Sequence, residues 1–360
     1  MRWLARLLLF AWLVFAPGCD PFHTGFEAEE PAEAYQAAQL TSPPEAPSTL
    51  TVMTWNIKFG GARIDFFFDC FGDRVLMKKD EVINNLEGIA TKIRQVDPDV
   101  VLLQEVDVNS KRSAFVDQVQ WLLDHTALNY GVYASQWRAD FIPSDGLGAM
   151  DSGNAILARW PLSGTRLSLA QRSDQDGLTR YFYLQRNILR AELTLPDGPH
   201  VGIVATHTDA YGQDGTKRKH IDRFLDEAAA LAAEVDVLIA GGDLNTLPRG
   251  TIQLSDFSDS VCTDEDFIAD NYSAETAWLD GLYATFSPAI PLSEYAADNA
   301  PYFTHTVDGN GFWNRKLDYL FTDGTFRPGS SLVHQDRTQG GMATMPLSDH
   351  APLSALLELP

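Results

Sequence analysis

A chain of 360 residues, 45% hydrophobic and 21% charged, has ample material for a large core and reads neither as disordered nor as a polytopic membrane protein. Its formal charge of −22 argues against a face that holds nucleic acid by neutralising many phosphates, because such binding rests on clustered Lys and Arg. One phosphate in a pocket is not excluded, since a local metal ion reverses the field felt there.

The N-terminus, MRWLARLLLFAWLVFAPGC, has two arginines, an apolar stretch of signal-peptide length, and small residues before Cys19. Residues 1–18 are therefore expected to be an export signal. Ala16-Pro17-Gly18-Cys19 resembles a bacterial lipobox, although Ala16 stands where that motif usually has leucine. The resemblance implies that Cys19 is lipidated and anchors the protein to a membrane of the bacterial cell envelope; simple cleavage and secretion is the alternative. Residues 19–49 are rich in Pro, Ala, Glu and Ser, a composition that predicts a disordered tether with a reach on the order of 30 Å. Cys70 and Cys262 are the remaining cysteines; they suit one disulfide in an exported protein but carry no metal-site spacing, and the sequence leaves their pairing open.

Residues 50–360 are expected to form the folded catalytic domain. It begins with the strand-like TVMTWNIKF, and KKDEVINNLEGIATKIRQ then sets Val82, Leu86, Ile89 and Ile93 on one helical stripe. Between them lies a phenylalanine-rich connection with Phe66, Phe67, Phe68 and Phe71. It is expected to fold over the core, with an aromatic wedge for a membrane interface as the alternative; Asp65, Asp69 and Asp73 in it are expected to be solvated. DVVLLQEV reads as a strand and SAFVDQVQWLLDHT as a second helix. Apolar strand-like runs recur at NAILARWPL, RNILRAELTL, HVGIVATHT, VDVLIAGGD, KLDYLFT and APLSALLEL, with a third helix at TKRKHIDRFLDEAAALAAE. Helices are too few for strict βαβ alternation, yet such strands need cover on both faces, so two packed sheets with outer helices are expected.

Several runs end alike, with a polar group at the strand mouth. Asn56 ends TVMTWN, Glu105 ends VVLLQE, His207 ends VGIVATH, Asp243 and Asn245 end VLIAGGDLN, Asp318 sits in RKLDYLF, and Asp349-His350 precede the last strand. Half-buried carboxylates need partners, and a hard divalent cation and nearby histidines supply them. The short motifs TWNI, LLQEV, GNAIL, ATHTD, GGDLN, KLDYLF and SDH, in that order, make the chain resemble the endonuclease/exonuclease/phosphatase superfamily, which includes deoxyribonuclease I-like nucleases, sphingomyelinases and inositol-phosphate phosphatases.

The resemblance spans nearly everything from Thr51 to Leu359. It implies a four-layer α/β/β/α sandwich, an α/β (α+β) fold of two mostly antiparallel sheets. It further implies that Glu105 is the principal ligand of a Mg2+ ion, with Mn2+ or Ca2+ as alternatives, and that Asn56 and Asp349 stand beside it. His350 is then the histidine that takes a proton from the attacking water or touches the phosphate, Asp318 orients it, Asp243 and Asn245 position the nucleophile and bind a phosphoryl oxygen, and His207 stands on the phosphate or leaving-group side. Oxygen ligands suit magnesium, and imidazoles suit proton transfer near neutrality. Gly241 and Gly242 are expected to let the chain approach the phosphate closely. Arg186 in QRNIL either pairs phosphate oxygens in one plane or forms a surface ion pair. His125, His220, His305 and His334 fall outside the motifs and are expected to be structural or at the surface.

One departure matters. Where nuclease branches often place an acid two residues beyond the strand-mouth asparagine, this chain has Lys58, which argues against a second metal ligand there and suits an anionic headgroup. The expected activity is hydrolysis of a phosphodiester or phosphomonoester. A lipid headgroup or small phosphodiester is favoured over extracellular nucleic acid, and a catalytically silent binding module is the rival. The expected partners are that substrate and the membrane, and the chain is expected to be a monomer.

Overall fold

The structure, a computed structural model, describes residues 20–45, 47–70, 72–260, 270–335 and 342–360. The expected export signal, the expected lipidation site Cys19, Phe71 and Cys262 lie outside the described residues. In chain order the strands are β1 (Glu29–Pro31), β2 (Glu33–Gln36), β3 (Thr49–Asn56), β4 (Val100–Asp107), β5 (Tyr130–Ile142), β6 (Gly148–Ala158), β7 (Leu162–Ser168), β8 (Asn187–Thr194), β9 (His200–His207), β10 (Val237–Asp243), β11 (Ser287–Pro288), β12 (Asp318–Thr322), β13 (Thr325–Phe326), β14 (Leu332–Val333) and β15 (Leu353–Glu358). The helices are α1 (Lys79–Val96), α2 (Gln118–Asp124), α3 (Gly177–Phe182), α4 (Thr216–Ala232), α5 (Asp280–Thr285) and α6 (Leu292–Ala297).

Period-two alternation builds the layers. In β3, Leu50 and Val52 pack between the sheets, whereas Met53 and Trp55 face α1 and α2. In β10, Val237 and Ile239 pack between the sheets, whereas Leu238 and Ala240 face α4 and α5. One sheet runs β1-β7-β8-β9-β10-β12-β11; the other runs β13-β15-β3-β4-β6-β5-β2, with β14 on β15. Only the pairs β3–β4 and β9–β10 are parallel among the described strands. The fold is the expected four-layer sandwich.

The stripe of α1 is buried as its spacing predicts. Glu81 accepts from the Lys78 backbone N–H at 2.7 Å and closes its first turn. The second helix is shorter than expected, because Ala114 and Phe115 take φ of 55° and 58°, a left-handed pair that no α-helix accommodates. It restarts at Asp117, whose carboxylate caps the Gln120 N–H at 3.0 Å.

The tether expected over residues 19–49 does not hold where the chain is described. β1 pairs with β7 and β2 with β5, so residues 20–37 form a strap joined to an edge of each sheet. Phe26 is clasped between Arg166 and Arg138, whose guanidinium carbons lie 3.8 and 4.4 Å from its ring centroid. Composition missed this because open sheet edges supply the order that the segment cannot generate alone.

Gly241 and Gly242 also serve a purpose other than the expected one. A Cβ at Gly242 would lie 2.0 Å from the Thr206 carbonyl oxygen, and one at Gly241 would lie 2.5 Å from that of Tyr319. They make room for the neighbouring strands β9 and β12 and not for a phosphate. Gly242→Ala, which also meets a φ of +130°, is expected to cost about 2–4 kcal/mol by clash and backbone strain. A urea midpoint equal to wild type would show that the three strands do not need this close approach.

Candidate active site

Three adjacent strands deliver three of the motif residues at one level. In the register of the first sheet, His207 of β9 lies opposite Asp243 of β10, and Asp243 lies opposite Asp318 of β12. All three share the parity of Ile203, Ile239 and Leu320, which pack between the sheets, so their side chains enter the inter-sheet layer at its open end. From the second sheet Asn56 enters at the end of β3, opposite Gln104. Glu105 should point to the helix side by simple alternation. A register shift between Leu103 and Val106, together with φ of 55° at Glu105, turns it inward.

Asp243 is the hub of the cluster. Its Oδ2 accepts from Asn56 Nδ2 at 3.1 Å and lies 3.3 Å from His207 Nε2 and 3.5 Å from His350 Nε2. Its Oδ1 accepts from the Asn245 backbone N–H at 3.0 Å. His350 Nδ1 meets Asp318 Oδ2 at 2.7 Å. The backbone around His350 is fixed by Trp55 Nε1, which donates to the His350 carbonyl at 2.8 Å, and by Ser348 Oγ, which donates to the Asn56 carbonyl at 2.7 Å.

The protonation pattern follows from these contacts. Burial works against charge on His350, but Asp318 and Asp243 outweigh it and lift the imidazole to about 10. The Asp243 carboxyl is pushed up to about 7, by burial first; His350 pulls it back while Asp318 adds to the rise. His207 is driven well below its ordinary value by burial and then by the Arg186 charge, and is neutral. Glu105 is raised by burial and by Asp349, whereas Lys58, once burial is offset, holds Asp349 well below the usual carboxylate range.

A raised folded-state carboxyl binds a proton that the unfolded chain has already released. The stability it lends is therefore complete below about pH 4, and is lost as pH rises through about 7. Metal-free Asp243→Asn is expected to melt above wild type at pH 8, with the difference vanishing towards pH 4. Thermal denaturation at the two pH values checks the sign; a difference independent of pH would mean that Asp243 is not held protonated.

Glu105, His207, Asp243, Asn245, Asp349 and His350 line one cavity of about 710 Å³. Glu105 of β4 and His350, just before β15, thus share a site from strands on either side of β3. Arg186, offered as a phosphate ligand or a surface ion pair, is buried on the same wall, with Nη1 donating to Gln136 Oε1 at 3.3 Å. The surface alternative is excluded by that burial.

Lys58, expected to suit an anionic headgroup, lines the same cavity but is already paired there. Its side chain is 8% exposed, and Nζ lies 3.1 Å from Asp69 and 3.7 Å from Asp349. Asp69 is correspondingly not solvated, because the loop folds back to partner the lysine; Asp65 and Asp73 are exposed as expected. Phe66 is buried and stacks on Phe68 at 5.7 Å, while Phe67 and Phe68 line the cavity. Cys70 is disulfide-bonded.

His305, expected to be structural or at the surface, belongs to the site. Its ring centroid lies 4.5 Å from that of His350, and it groups with Asp349 and His350 within reach of one ion. It was missed because it sits in a loop, THTV, with no strand-mouth pattern; only its pairing with residues 315 and 350 brings it in. His220, bonded to the Ala170 carbonyl at 2.7 Å, His334, against Ser354 Oγ at 2.8 Å, and His125, stacked on Trp121, are structural. Asn154 of the GNAIL motif is buried and donates to Asn187 Oδ1 at 3.0 Å, bracing β6 against β8.

The donor set fits a hard divalent ion. Glu105 and Asp349 face one cavity and repel each other. Asp318 Oδ1, His207 Nδ1, His305 Nδ1 and Arg186 Nε are buried without hydrogen-bond partners among the described residues, as expected for groups arranged around an ion and a substrate. Asn56 turns its amide nitrogen to Glu105 Oε1 at 3.2 Å and to Asp243, while its oxygen accepts the Lys58 N–H at 3.1 Å. It ties the two carboxylates together in place of presenting its oxygen, a departure from the ligand role expected of it.

The sequence matches the Endonuclease/Exonuclease/phosphatase family over residues 53–350. The chain belongs to this family. Members hydrolyse phosphoester bonds and typically depend on a divalent metal. A comparison with curated proteins gives no match. Among solved structures, the endonuclease/exonuclease/phosphatase from Beutenbergia cavernae DSM 12333 is 19% identical, with 87% of this chain and 72% of that one covered, at a TM-score of 0.58. A functionally unknown conserved protein from Enterococcus faecalis V583 is 16% identical, with 86% and 100% covered, at 0.53. The family protein from Leptotrichia buccalis C-1013-b is 15% identical, with 86% and 100% covered, at 0.52. At such identities these likenesses establish the fold, and the chemistry must come from the site itself.

Proposed function

We propose that this family member is an exported, magnesium-dependent phosphodiesterase, lipid-anchored through Cys19 and acting on a phosphodiester that carries an apolar group. One observation carries the reading. The cavity joins a floor of Glu105, Asp243, Asp349 and His350 to a wall of Phe67, Trp137, Ile142, Leu147, Leu178 and Phe182. An apolar wall beside a phosphate site suits a substrate with a hydrocarbon part. It does little for the polyanionic backbone of nucleic acid, which the net charge of −22 also disfavours.

Glu105 and Asp349 would hold the ion, which supplies charge neutralisation at a phosphoryl oxygen. Asp243, ionised above about pH 7, takes the proton of the attacking water as the new P–O bond forms and the bond to the leaving oxygen breaks, that oxygen taking up a proton from solvent. Charged His350, oriented by Asp318, donates to a phosphoryl oxygen, as does Arg186. Neutral His207 stands on the leaving-group side with a free ring nitrogen. A vesicle panel of phosphodiester and phosphomonoester lipids, run beside plasmid nicking with magnesium and with chelator, tests this reading; magnesium-dependent nicking without lipid turnover would replace it with a nuclease.

A further inference from the structure

The strap reverses the expected relation between anchor and site. A disordered tether would leave the cavity free to face any direction, but the chain is already fixed at Asp20, the residue after Cys19. Asp20 Oδ1 accepts from Tyr181 OH at 2.5 Å and its Oδ2 accepts from the Gly25 N–H at 2.6 Å. The Phe22 ring lies 5.5 Å from that of Phe182. The Phe22 carbonyl accepts from the Asp140 N–H at 2.9 Å, and the Asp140 carboxylate meets His23 Nδ1 at 2.6 Å. Tyr181 and Phe182 belong to α3, whose Leu178, Thr179 and Phe182 line the cavity, and Asp140 lies in β5 two residues before the cavity residue Ile142.

Apolar side chains project into solvent from α3, from β5 and from the neighbouring phenylalanine-rich loop. Leu178 is 65% exposed, Phe141 53% and Phe68 42%. Leu178 and Phe68 also line the cavity, so the apolar surface runs from the outside into the site. Among the described residues no helix is long and apolar enough to cross a membrane.

We infer that the rim formed by α3 and the β5–β6 turn is a bilayer-docking surface, and that the strap holds it against the membrane so that the cavity opens onto the lipid headgroups. The inference rests on the lipid anchor at Cys19 in the proposed function. The acidic chain favours a zwitterionic surface over an anionic one. Its consequence is a substrate class: a phosphodiester lipid presented by the same bilayer, whose headgroup is cleaved without leaving the membrane.

The test uses the full chain, produced with its N-terminus in a bacterial host and reconstituted in phosphatidylcholine vesicles, beside a variant with a Gly/Ser linker of about twenty residues between Cys19 and Asp20. Hydrogen exchange of residues 141–147 and 176–183 is expected to be at least about tenfold slower in the fixed chain than in the linker variant, whereas residues 325–330 at the far end of β15 exchange alike. Hydrolysis of a vesicle phosphodiester should fall at least about tenfold on linker insertion, while that of soluble bis(p-nitrophenyl) phosphate stays unchanged. Equal exchange in the two chains, or labelled fatty acid incorporated equally in wild type and Cys19→Ala, overturns the inference. Absence of turnover of both substrates by wild type would instead refute the phosphodiesterase reading, and the exchange result would still decide docking.

Discussion

His350→Ala is expected to lower kcat for bis(p-nitrophenyl) phosphate at least about a hundredfold, the range of a lost acid–base or charge-donating group. The loss goes beyond one imidazole. His350 is the cation between Asp243 and Asp318, with nitrogens 3.5 and 2.7 Å from their carboxylates, and its removal leaves two buried acids without their partner. Asp243 would then hold its proton to still higher pH, since the His350 charge is the main force drawing it down. The acid limb of the pH–rate profile of residual activity should therefore move upward. KM should change much less than kcat, because the group acts on the reacting phosphoryl oxygens. Wild-type turnover from a folded His350→Ala protein would remove His350 from the chemistry.

Glu105→Gln is expected to reduce turnover by a similar factor for a different reason, and to weaken Mg2+ binding at least about tenfold in calorimetric titration. Glutamine preserves shape and can still accept from Asn56, so the fold should survive. It cannot supply the anionic oxygen that a hard cation requires. The backbone supports this assignment: Glu105 takes a left-handed φ of 55° where the ladder between β4 and β6 slips, a conformation kept only when something over-determines it. Chelator should reproduce the loss in wild type and change little further in the variant. Unaltered metal affinity with full activity would move the ion elsewhere, and a folded wild type inert towards every phosphoester offered would favour the silent binding module.

Much of the site was legible because its parts lie at strand ends. The strands β3, β4, β9, β10 and β12 can be read from apolar runs, and a polar residue in or at the end of each either lines the cavity, as Glu105, His207 and Asp243 do, or bonds to a residue that does, as Asn56 and Asp318 do. Asn56, Glu105, His207, Asp243, Asn245, Asp318, Asp349 and His350 were named from that pattern, and the folded chain brings them together. What could not be read were contacts made between distant segments. Lys58 was read as suiting an anionic headgroup, and its pairing with Asp69 at 3.1 Å, made by the returning loop, was not legible. His305 looked like a loop residue until it lay beside His350, and Gly241 and Gly242 looked like a phosphate cradle until Tyr319 and Thr206 filled the space.

The sequence by itself determined the layered fold and the kinds of chemical group at its open end, because alternation along a strand and the polarity of its last residue are local properties. Tertiary structure alone decided the inward turn of Glu105, the pairing of Lys58 with Asp69, and the strap that fixes Asp20 against Tyr181. Each of these depends on the energy of pairing groups far apart in the chain, at a bulge, in a buried ion pair or along an open sheet edge, and no local pattern records that energy.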